Sequence, residues 1–161
     1  MSVRLIEGNL VVPKGARFAV VASRFNRFIV DHLVEGALDA LARHGSTTEG
    51  VFLVRVPGAW ELPMVTKRLA GSGKFDAVIA LGAVVRGGTP HFDYVAGETS
   101  KGLASAAHES KVPVVFGVLT TDTIEQAVER AGTKQGNKGW DAAVSAIEMV
   151  ALSRALDEAG L

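Results

Sequence analysis

The sequence predicts an α/β fold in which a parallel β-sheet is covered by helices on both faces. Apolar runs alternate with segments of helical periodicity along almost the whole chain, as in proteins built from successive β-α units. The run at 76–85, DAVIALGAVV, is continuously apolar, which is typical of a central strand covered on both sides. The chain has 161 residues, 48% apolar and 21% charged, so we expect a single ordered domain spanning 1–161.

Each element is predicted from its local pattern. Buried strands are predicted at 17–23, 48–56, 76–85 and 112–119. Helices are predicted at 27–44, 60–69, 94–110, directly after Asp122, and at 138–156. Gly45 ends the first helix, and Pro63 is tolerated in the first turn of the second.

The last two helices carry more specific signals. Asp122 and Glu125 stand three positions apart, a capping-box pattern that predicts Asp122 as the N-cap. The stripe of the final helix that we expect to be buried comprises Trp140, Val144, Ile147, Ala151 and Leu156.

The N-terminal arm, residues 1–13, does not fit the alternation. Its segment 3–12, VRLIEGNLVV, has the pattern of a strand but no helix follows it. A lone extended arm often pairs with an edge strand, so we expect it to join a sheet, which can be that of a neighbouring subunit.

The composition excludes several classes of function. Lys plus Arg total 17 and Asp plus Glu total 17, so no net field attracts nucleic acid or an anionic membrane. The chain has no cysteine, which excludes disulfides, thiolate catalysis and zinc–thiolate sites. We see no secretory signal and no apolar run near the ~20 residues that span a bilayer, so we expect a soluble cytoplasmic protein.

Ligands of open parallel sheets bind beyond the carboxyl ends of the strands, where four loops should meet on one rim. The first loop contains Phe25 and Asn26. Phe25 could be a hydrophobic staple with Asn26 as the helix N-cap. Alternatively, Phe25 is a platform on which a planar ring stacks, with Asn26 donating or accepting a hydrogen bond nearby.

The second loop, PGAWE at 57–61, combines a glycine with a carboxylate. Gly58 allows a ligand to approach the backbone closely. Glu61 would lie in the first turn of a helix, where the helix dipole alone can explain an acidic residue. Its alternative role is to accept hydrogen bonds from the hydroxyls of a sugar or polyol.

The third loop, RGGTPHFD at 86–93, is suited to an anion and to proton transfer. Gly87, Gly88 and Thr89 stand at the entrance to a helix and can present backbone N–H groups to a phosphate. His91 is the one histidine at the end of a predicted strand, and it is a candidate general acid/base as well as a possible structural residue. With no partner suited to a nucleophilic triad and no second histidine at ligand spacing, we expect neither covalent catalysis nor a metal site.

The segment ERAGTKQGNKG at 129–139 has two interpretations. It is either a solvated connector or an anion-binding loop in which Arg130, Lys134 and Lys138 supply positive charge. It does not match GxxxxGK[ST], and no GxGxxG follows a strand, so the two standard nucleotide-binding sites are disfavoured.

Taken together these motifs resemble the lumazine synthase family over nearly the whole chain. The resemblance rests on ASRFN, VPGAWELP, LGAVVRGGTPHFDYV, SKGL, PVVFGVLTTDTIEQAVERAGTKQGNKG and AAVSAIEM, in that order. It implies a flavodoxin-like three-layer sandwich with a central four-stranded parallel sheet, and an N-terminal strand that joins the neighbouring subunit's sheet. It also implies pentamers with active sites between subunits. The compact GTKQGNKG connector is similar to that of members whose pentamers form a sixty-subunit icosahedral shell. Association with riboflavin synthase stays open.

The resemblance also implies a reaction. Members condense 5-amino-6-(ribitylamino)uracil with 3,4-dihydroxy-2-butanone 4-phosphate to 6,7-dimethyl-8-ribityllumazine, releasing phosphate and water, and they need neither a metal nor an organic cofactor. The penultimate step of riboflavin biosynthesis is therefore the expected function.

The roles of individual residues carry over by motif. In the ring and ribityl pocket the implied residues are Phe25, Ala59, Trp60, Glu61, Val84 and Val85, with Asn26 beside them, Phe116 from the adjacent subunit, and Lys138 near the ring. Gly88, Thr89 and the adjacent subunit's Arg130 would bind phosphate, and His91 would shuttle protons.

Two other functions share much of this pattern. A flavodoxin-like module could bind a flavin or related ring without turnover, using Phe25 and the phosphate loop but not His91. A structural shell protein could keep the fold with a disused site, although the complete set of site residues argues against it.

Overall fold

The computed structural model describes residues 3–161, which form an α/β fold with a four-stranded parallel sheet in the order β2-β1-β3-β4. The strands are β1 (Phe18–Ser23), β2 (Val51–Val56), β3 (Ala77–Val85) and β4 (Val114–Thr121). The helices are α1 (Arg27–Arg43), α2 (Leu62–Ala70), α3 (His91–Glu109), α4 (Ile124–Glu129) and α5 (Lys138–Glu158). The predicted fold class, with its flavodoxin-like parallel sheet between helices, is confirmed.

The core lies in two layers, one on each face of the sheet. Alternate side chains of β1 point to opposite faces, so Phe18 and Val20 pack with α1 and α5, whereas Ala19 and Val21 pack with α2 and α3. Phe18 is fully buried, and burial of a side chain of this kind stabilises the fold by about 1.5–3 kcal/mol. Because all four strands are parallel, their carboxyl ends reach the same rim of the sheet.

Several boundaries differ from the sequence-based prediction at the rim. Residues Thr48–Gly50 form a 3₁₀ turn, so β2 begins at Val51 rather than at residue 48. Residues Ala59–Glu61 form another 3₁₀ turn, and α2 begins at Leu62. Helix α3 begins at His91 rather than at residue 94, because Pro90 at its N-cap already has φ −65°, a helical value.

The prediction that Asp122 caps α4 is wrong. The cap is Thr123, whose extended backbone allows its hydroxyl to accept a hydrogen bond from the N–H of Gln126 at 3.2 Å. The carboxylate of Asp122 instead accepts a hydrogen bond from Arg86. A motif with two adjacent candidate caps cannot show which one has a competing partner elsewhere in the fold.

The predicted buried stripe of α5 is correct only in part. Trp140, Val144 and Leu156 are half-buried rather than buried. The buried residues are mostly small, namely Gly139, Ala142, Ala143, Ala146, Ile147, Val150 and Ala151. The reason is close contact with α1, since a Cβ on Gly139 would lie 1.8 Å from the carbonyl oxygen of Leu33.

The N-terminal arm has no regular secondary structure in residues 3–10, although a strand was predicted there. Val3 and Leu5 are 87% and 75% exposed. At its end the arm is attached to the domain, because the N–H of Val12 donates to the carbonyl of His44 at 2.8 Å. An extended segment needs a partner for its backbone groups, so pairing with a neighbouring sheet stays a prediction.

The segment that could have been a loose connector is an ordered hairpin. Strands β5 (Ala131–Thr133) and β6 (Gly136–Asn137) pair in antiparallel fashion. Asn137 then caps α5, accepting from the N–H groups of Gly139 at 2.8 Å and Trp140 at 3.1 Å. Its amide also donates to the carbonyl of His32 in α1 at 2.9 Å, which locks the hairpin against that helix.

Replacing Asn137 with alanine should lower the free energy of unfolding by about 1–2 kcal/mol, because α5 loses its N-cap. Asn137→Asp keeps the cap and loses the amide that donates to His32, so it should cost less. Thermal unfolding of both variants at one protein concentration measures the difference. A loss for the alanine variant no larger than that for aspartate would contradict the capping role.

Candidate active site

A cavity of about 380 Å³ lies at the carboxyl rim of the sheet, beside the ends of β1 and β3. Its lining comprises Phe25, Asn26, Gly58, Ala59, Trp60, Ala83, Val84, Val85, Gly87, Thr89, His91, Phe92 and Val95. Eight of these were predicted site residues. Glu61 and Gly88 stand next to lining residues in sequence but are not in this lining of the described chain.

Sequence reasoning missed Phe92 and Val95, which also line the cavity. A signal for Val95 was present, because His91 and Val95 are four positions apart and so share one face of α3. Since the predicted helix began at residue 94, His91 was assigned to a loop and this shared face could not be found.

The first rim turn is held by backbone bonds that extend the β1–β2 pairing. The N–H of Arg24 donates to the carbonyl of Val56 at 2.8 Å, and the N–H of Phe25 donates to the carbonyl of Pro57 at 2.9 Å. The Phe25 ring remains 72% exposed. A hydrophobic staple would bury the ring, so the geometry favours the alternative of a stacking surface.

Asn26 occupies the N-cap position of α1, as the first of its two interpretations expected, but its side chain does not cap the helix within the described chain. Its backbone is left-handed, with φ 57° and ψ 41°. Its amide donates to the carbonyl of Ala83 in β3 at 2.8 Å, which fastens the turn across the sheet. Asn26 therefore holds Phe25 in place, and asparagine tolerates this backbone better than most residues.

Asn26→Ala should destabilise the fold by about 2 kcal/mol, because it loses the hydrogen bond to Ala83. It also places alanine in the left-handed region, which alanine tolerates less well than asparagine does. Asn26→Gly loses the same bond but accepts the backbone without strain. Urea denaturation of the two variants separates the terms. Equal losses would show that backbone strain at this turn is not significant.

The second rim turn fixes both its carboxylate and its backbone. One oxygen of Glu61 accepts from the N–H of Gly58 at 2.9 Å. The buried hydroxyl of Thr99 in α3 donates to the carbonyl of Ala59 at 3.2 Å. An ionised carboxylate accepts about four hydrogen bonds, so Glu61 keeps capacity for a ligand's hydroxyls beside the 57%-exposed Trp60.

The third rim loop is open and leads into α3. A Cβ on Gly87 or Gly88 would meet nothing within 4 Å among the described residues. The first N–H groups of a helix have no partner within the helix, and α3 begins at His91. The exposed residues His91 and Thr89 both line the cavity, so a side chain suited to proton transfer occurs beside backbone donors suited to an anion.

An ion-pair network braces the start of α1 below the first turn. The carboxylate of Asp31 accepts from Arg27 at 2.9 Å and from Arg55 in β2 at 2.7 Å. The hydrogen bond from Arg27 is the largest cause that lowers the pKa of Asp31, desolvation opposes it, and Arg55 adds to it. Asp31 therefore stays ionised, which keeps α1 attached to the edge of β2.

Phe116, Arg130 and Lys138 lie in a different place on the chain. They line a second cavity of about 380 Å³ beside β4, which within residues 3–161 shares no lining residue with the first. Arg130 donates to the carbonyl of Gln126 at 3.0 Å, and Lys138 pairs with Asp141 at 2.9 Å. In a single chain, these three predicted site residues are therefore not brought to the His91 cavity.

Residues 3–161 contain neither a cluster of metal-ligating side chains nor a membrane-spanning helix. Within residues 3–161, no three His, Cys, Asp or Glu side chains are grouped in a way that could hold a metal ion. Across the same range, every helix is too short or too polar to cross a membrane.

Comparisons with known proteins agree on one family. The family model described as 6,7-dimethyl-8-ribityllumazine synthase matches residues 15–154. The curated 6,7-dimethyl-8-ribityllumazine synthase of Chloroherpeton thalassium is 61% identical over 152 residues, which cover 94% of this chain and 97% of that protein. An identity of this size over almost the full length, together with the rim geometry, leaves one conclusion: the chain belongs to the 6,7-dimethyl-8-ribityllumazine synthase family.

Proposed function

We propose that the rim cavity is the larger part of the active site in which this enzyme condenses 5-amino-6-(ribitylamino)uracil with 3,4-dihydroxy-2-butanone 4-phosphate. The product is 6,7-dimethyl-8-ribityllumazine, with phosphate and water released, in the penultimate step of riboflavin biosynthesis. The observation that carries the assignment is the convergence of an aromatic ring, a carboxylate turn, a glycine loop and His91 around one cavity.

The pyrimidine substrate is assigned to the β1–β2 side of the cavity. Phe25 stacks on the ring, and Val84 and Val85 at the end of β3 form the apolar wall. Trp60 and Glu61 hold the ribityl chain, with the carboxylate accepting from its hydroxyls. Burial of Val84 and exposure of Phe25 support this division, since a planar ring needs a fixed wall and an open face.

The phosphate-bearing ketone is assigned to the β3–α3 side. Gly88 and Thr89 offer backbone N–H groups in front of a helix N-terminus, where the partial positive charge favours an anion. Arg130 of an adjacent subunit completes this pocket with a guanidinium that can bind two phosphate oxygens. The chain's own Arg130 lines a separate cavity, which supports the proposal that the phosphate pocket takes its arginine from an adjacent subunit.

The chemistry needs few protein groups. The primary amine attacks the ketone, and a first water leaves as the Schiff base forms. Phosphate is then eliminated, the second nitrogen attacks the carbonyl carbon that this generates, and a second water leaves as the ring closes. His91 accepts and returns protons in these steps, while the phosphate-binding donors stabilise the leaving anion. Because the amine is reactive towards ketones by itself, most of the acceleration comes from holding the two substrates in alignment.

The test is to mix the purified protein with both substrates and follow the colour and fluorescence of the lumazine. We expect product formation that depends on both substrates and on protein concentration. Saturable binding of the pyrimidine with no product above the uncatalysed rate would contradict the enzyme and support a ring-binding module.

The composite site requires an oligomer, and we propose a cytoplasmic homopentamer, twelve of which form an icosahedral shell. The compact hairpin at β5–β6 and the exposed apolar side chains of the N-terminal arm support this assembly. Particle mass in solution distinguishes about five chains from about sixty. A monomer at working concentration would contradict both the assembly and the borrowed Arg130.

A further inference from the structure

Arg86 directly follows β3 and makes three contacts with its guanidinium. Its Nε donates to Asp122 in the β4–α4 loop at 2.9 Å, and its Nη1 donates to Asp93 in α3 at 3.1 Å. Its central carbon lies 4.2 Å from the centroid of the Phe92 ring. Hydrogen bonds to Asp122 and then to Asp93 raise the pKa of Arg86, so the guanidinium stays charged.

These contacts join the two ends of the rim loop that carries the phosphate donors and His91. Arg86 precedes the loop, whereas Phe92 and Asp93 follow it. The intervening glycines are open, since a Cβ on either would meet nothing within 4 Å in the described chain. Two glycines give the backbone unusual freedom, so the loop conformation depends on how its ends are held.

Phe92 links this ion-pair cluster to the active site. Its ring lines the rim cavity and also borders the neighbouring cavity that contains Arg86, Asp93 and Asp122. A guanidinium over the ring fixes its orientation by cation–π attraction. A change at Arg86 would therefore reach the cavity wall and the first turn of α3 together.

We propose that Arg86 is a positioning residue of the active site, which holds residues 87–91 so that their N–H groups and the His91 side chain meet the phosphate-bearing ketone. This inference rests on the proposed function. Arg86 acts through Asp122, Asp93 and Phe92, and it need not touch either substrate. Half-exposed ion pairs of this kind contribute little to the free energy of unfolding. A variant that loses activity without losing stability would therefore indicate a positioning role rather than a role in supporting the fold.

The test uses steady-state kinetics of the full-length Arg86→Gln protein, with each substrate varied in turn. We expect the KM for the phosphate-bearing ketone to rise about tenfold and kcat to fall, because the loop is misaligned. The KM for the pyrimidine should stay within about twofold, since the side chains assigned to it lie mainly on other turns. Asp122→Asn should show the same pattern with a smaller effect, because it weakens one of the three contacts of Arg86. The double variant should lose no more activity than Arg86→Gln alone, since the contact with Asp122 is already lost in that variant.

Two comparisons make the result specific. Arg86→Lys keeps one charge but cannot fork between two carboxylates, so it should fall between wild type and Arg86→Gln. Lys67→Gln removes a comparable exposed ion pair with Glu109 at the other end of α3, 2.6 Å in length, and should leave all kinetic constants unchanged.

The inference would be overturned by wild-type kinetic constants in Arg86→Gln, or by a loss that affects both substrates equally together with a lower thermal midpoint. Calorimetric titration with inorganic phosphate repeats the comparison without turnover, and we expect weaker binding to Arg86→Gln than to wild type. A wild-type protein that binds phosphate but forms no lumazine would refute the proposed function instead.

Discussion

His91→Ala should slow lumazine formation by about 10²–10⁴-fold while leaving the affinity for both substrates nearly unchanged. The imidazole lines the rim cavity and is exposed at the first position of α3. Alanine is a good helix former, so the substitution should not disturb the helix. The loss is of a proton-transfer group, and kcat should therefore fall while KM does not.

The enzyme should not become inactive, because aligned substrates still condense in the cavity without a positioned acid or base. His108→Ala is the matched control, since His108 is exposed near the other end of the same helix. Single-turnover rates of both variants give the comparison. Full turnover of His91→Ala, or equal losses in the two variants, would remove His91 from the mechanism.

Arg130→Ala should raise the KM for the phosphate-bearing ketone by about 10–100-fold, since each charge-assisted hydrogen bond contributes about 1.5–3 kcal/mol. The KM for the pyrimidine should change little. Arg43→Ala is the control, because it removes an exposed arginine whose partner is Asp39 in the same helix. An unchanged affinity for inorganic phosphate in Arg130→Ala would contradict the role.

Mixing the His91→Ala and Arg130→Ala variants tests whether the site is shared between subunits. If one subunit supplies His91 and the next supplies Arg130, a mixed oligomer contains some interfaces in which both residues are intact. When equal amounts are mixed at random, an intact His91 is present in half of the interfaces and an intact Arg130 in half. Both are present together in about one quarter, so about one quarter of wild-type activity should return after joint unfolding and refolding. No recovery in oligomers shown by mass to be mixed would mean that both residues serve the same subunit's site.

The expectations that came from local pattern agree best with the structure. The continuous apolar run at 76–85 corresponds to β3, whose residues Ala77–Val84 are all buried, and the helical spacing after residue 27 corresponds to α1. These patterns report on which neighbours in sequence share a face, and that is set by the geometry of the element itself. The shared location of the rim loops could be predicted from the same patterns, because the carboxyl ends of parallel strands lie at one edge of the sheet.

Contacts between distant residues could not be predicted in the same way. The amide of Asn26 binds a carbonyl 57 positions away, and Arg86 binds a carboxylate 36 positions away. Asparagine before a helix predicts a cap, and aspartate before a helix does too. In the folded chain, however, the Asn26 side chain binds the carbonyl of Ala83 and the Asp122 side chain binds Arg86, so neither caps its helix.

Local sequence patterns were enough to predict the succession of strands and helices along the chain, the rim at which the candidate site lies, and the residue types gathered there, because periodicity and strand ends are local properties. Tertiary structure alone decided which side chains of α5 face the core and that Asn26 serves the backbone of β3. It also separated Arg130 from the cavity of its own chain. Those outcomes depend on how closely two elements approach, and that distance is fixed only when the whole domain is packed.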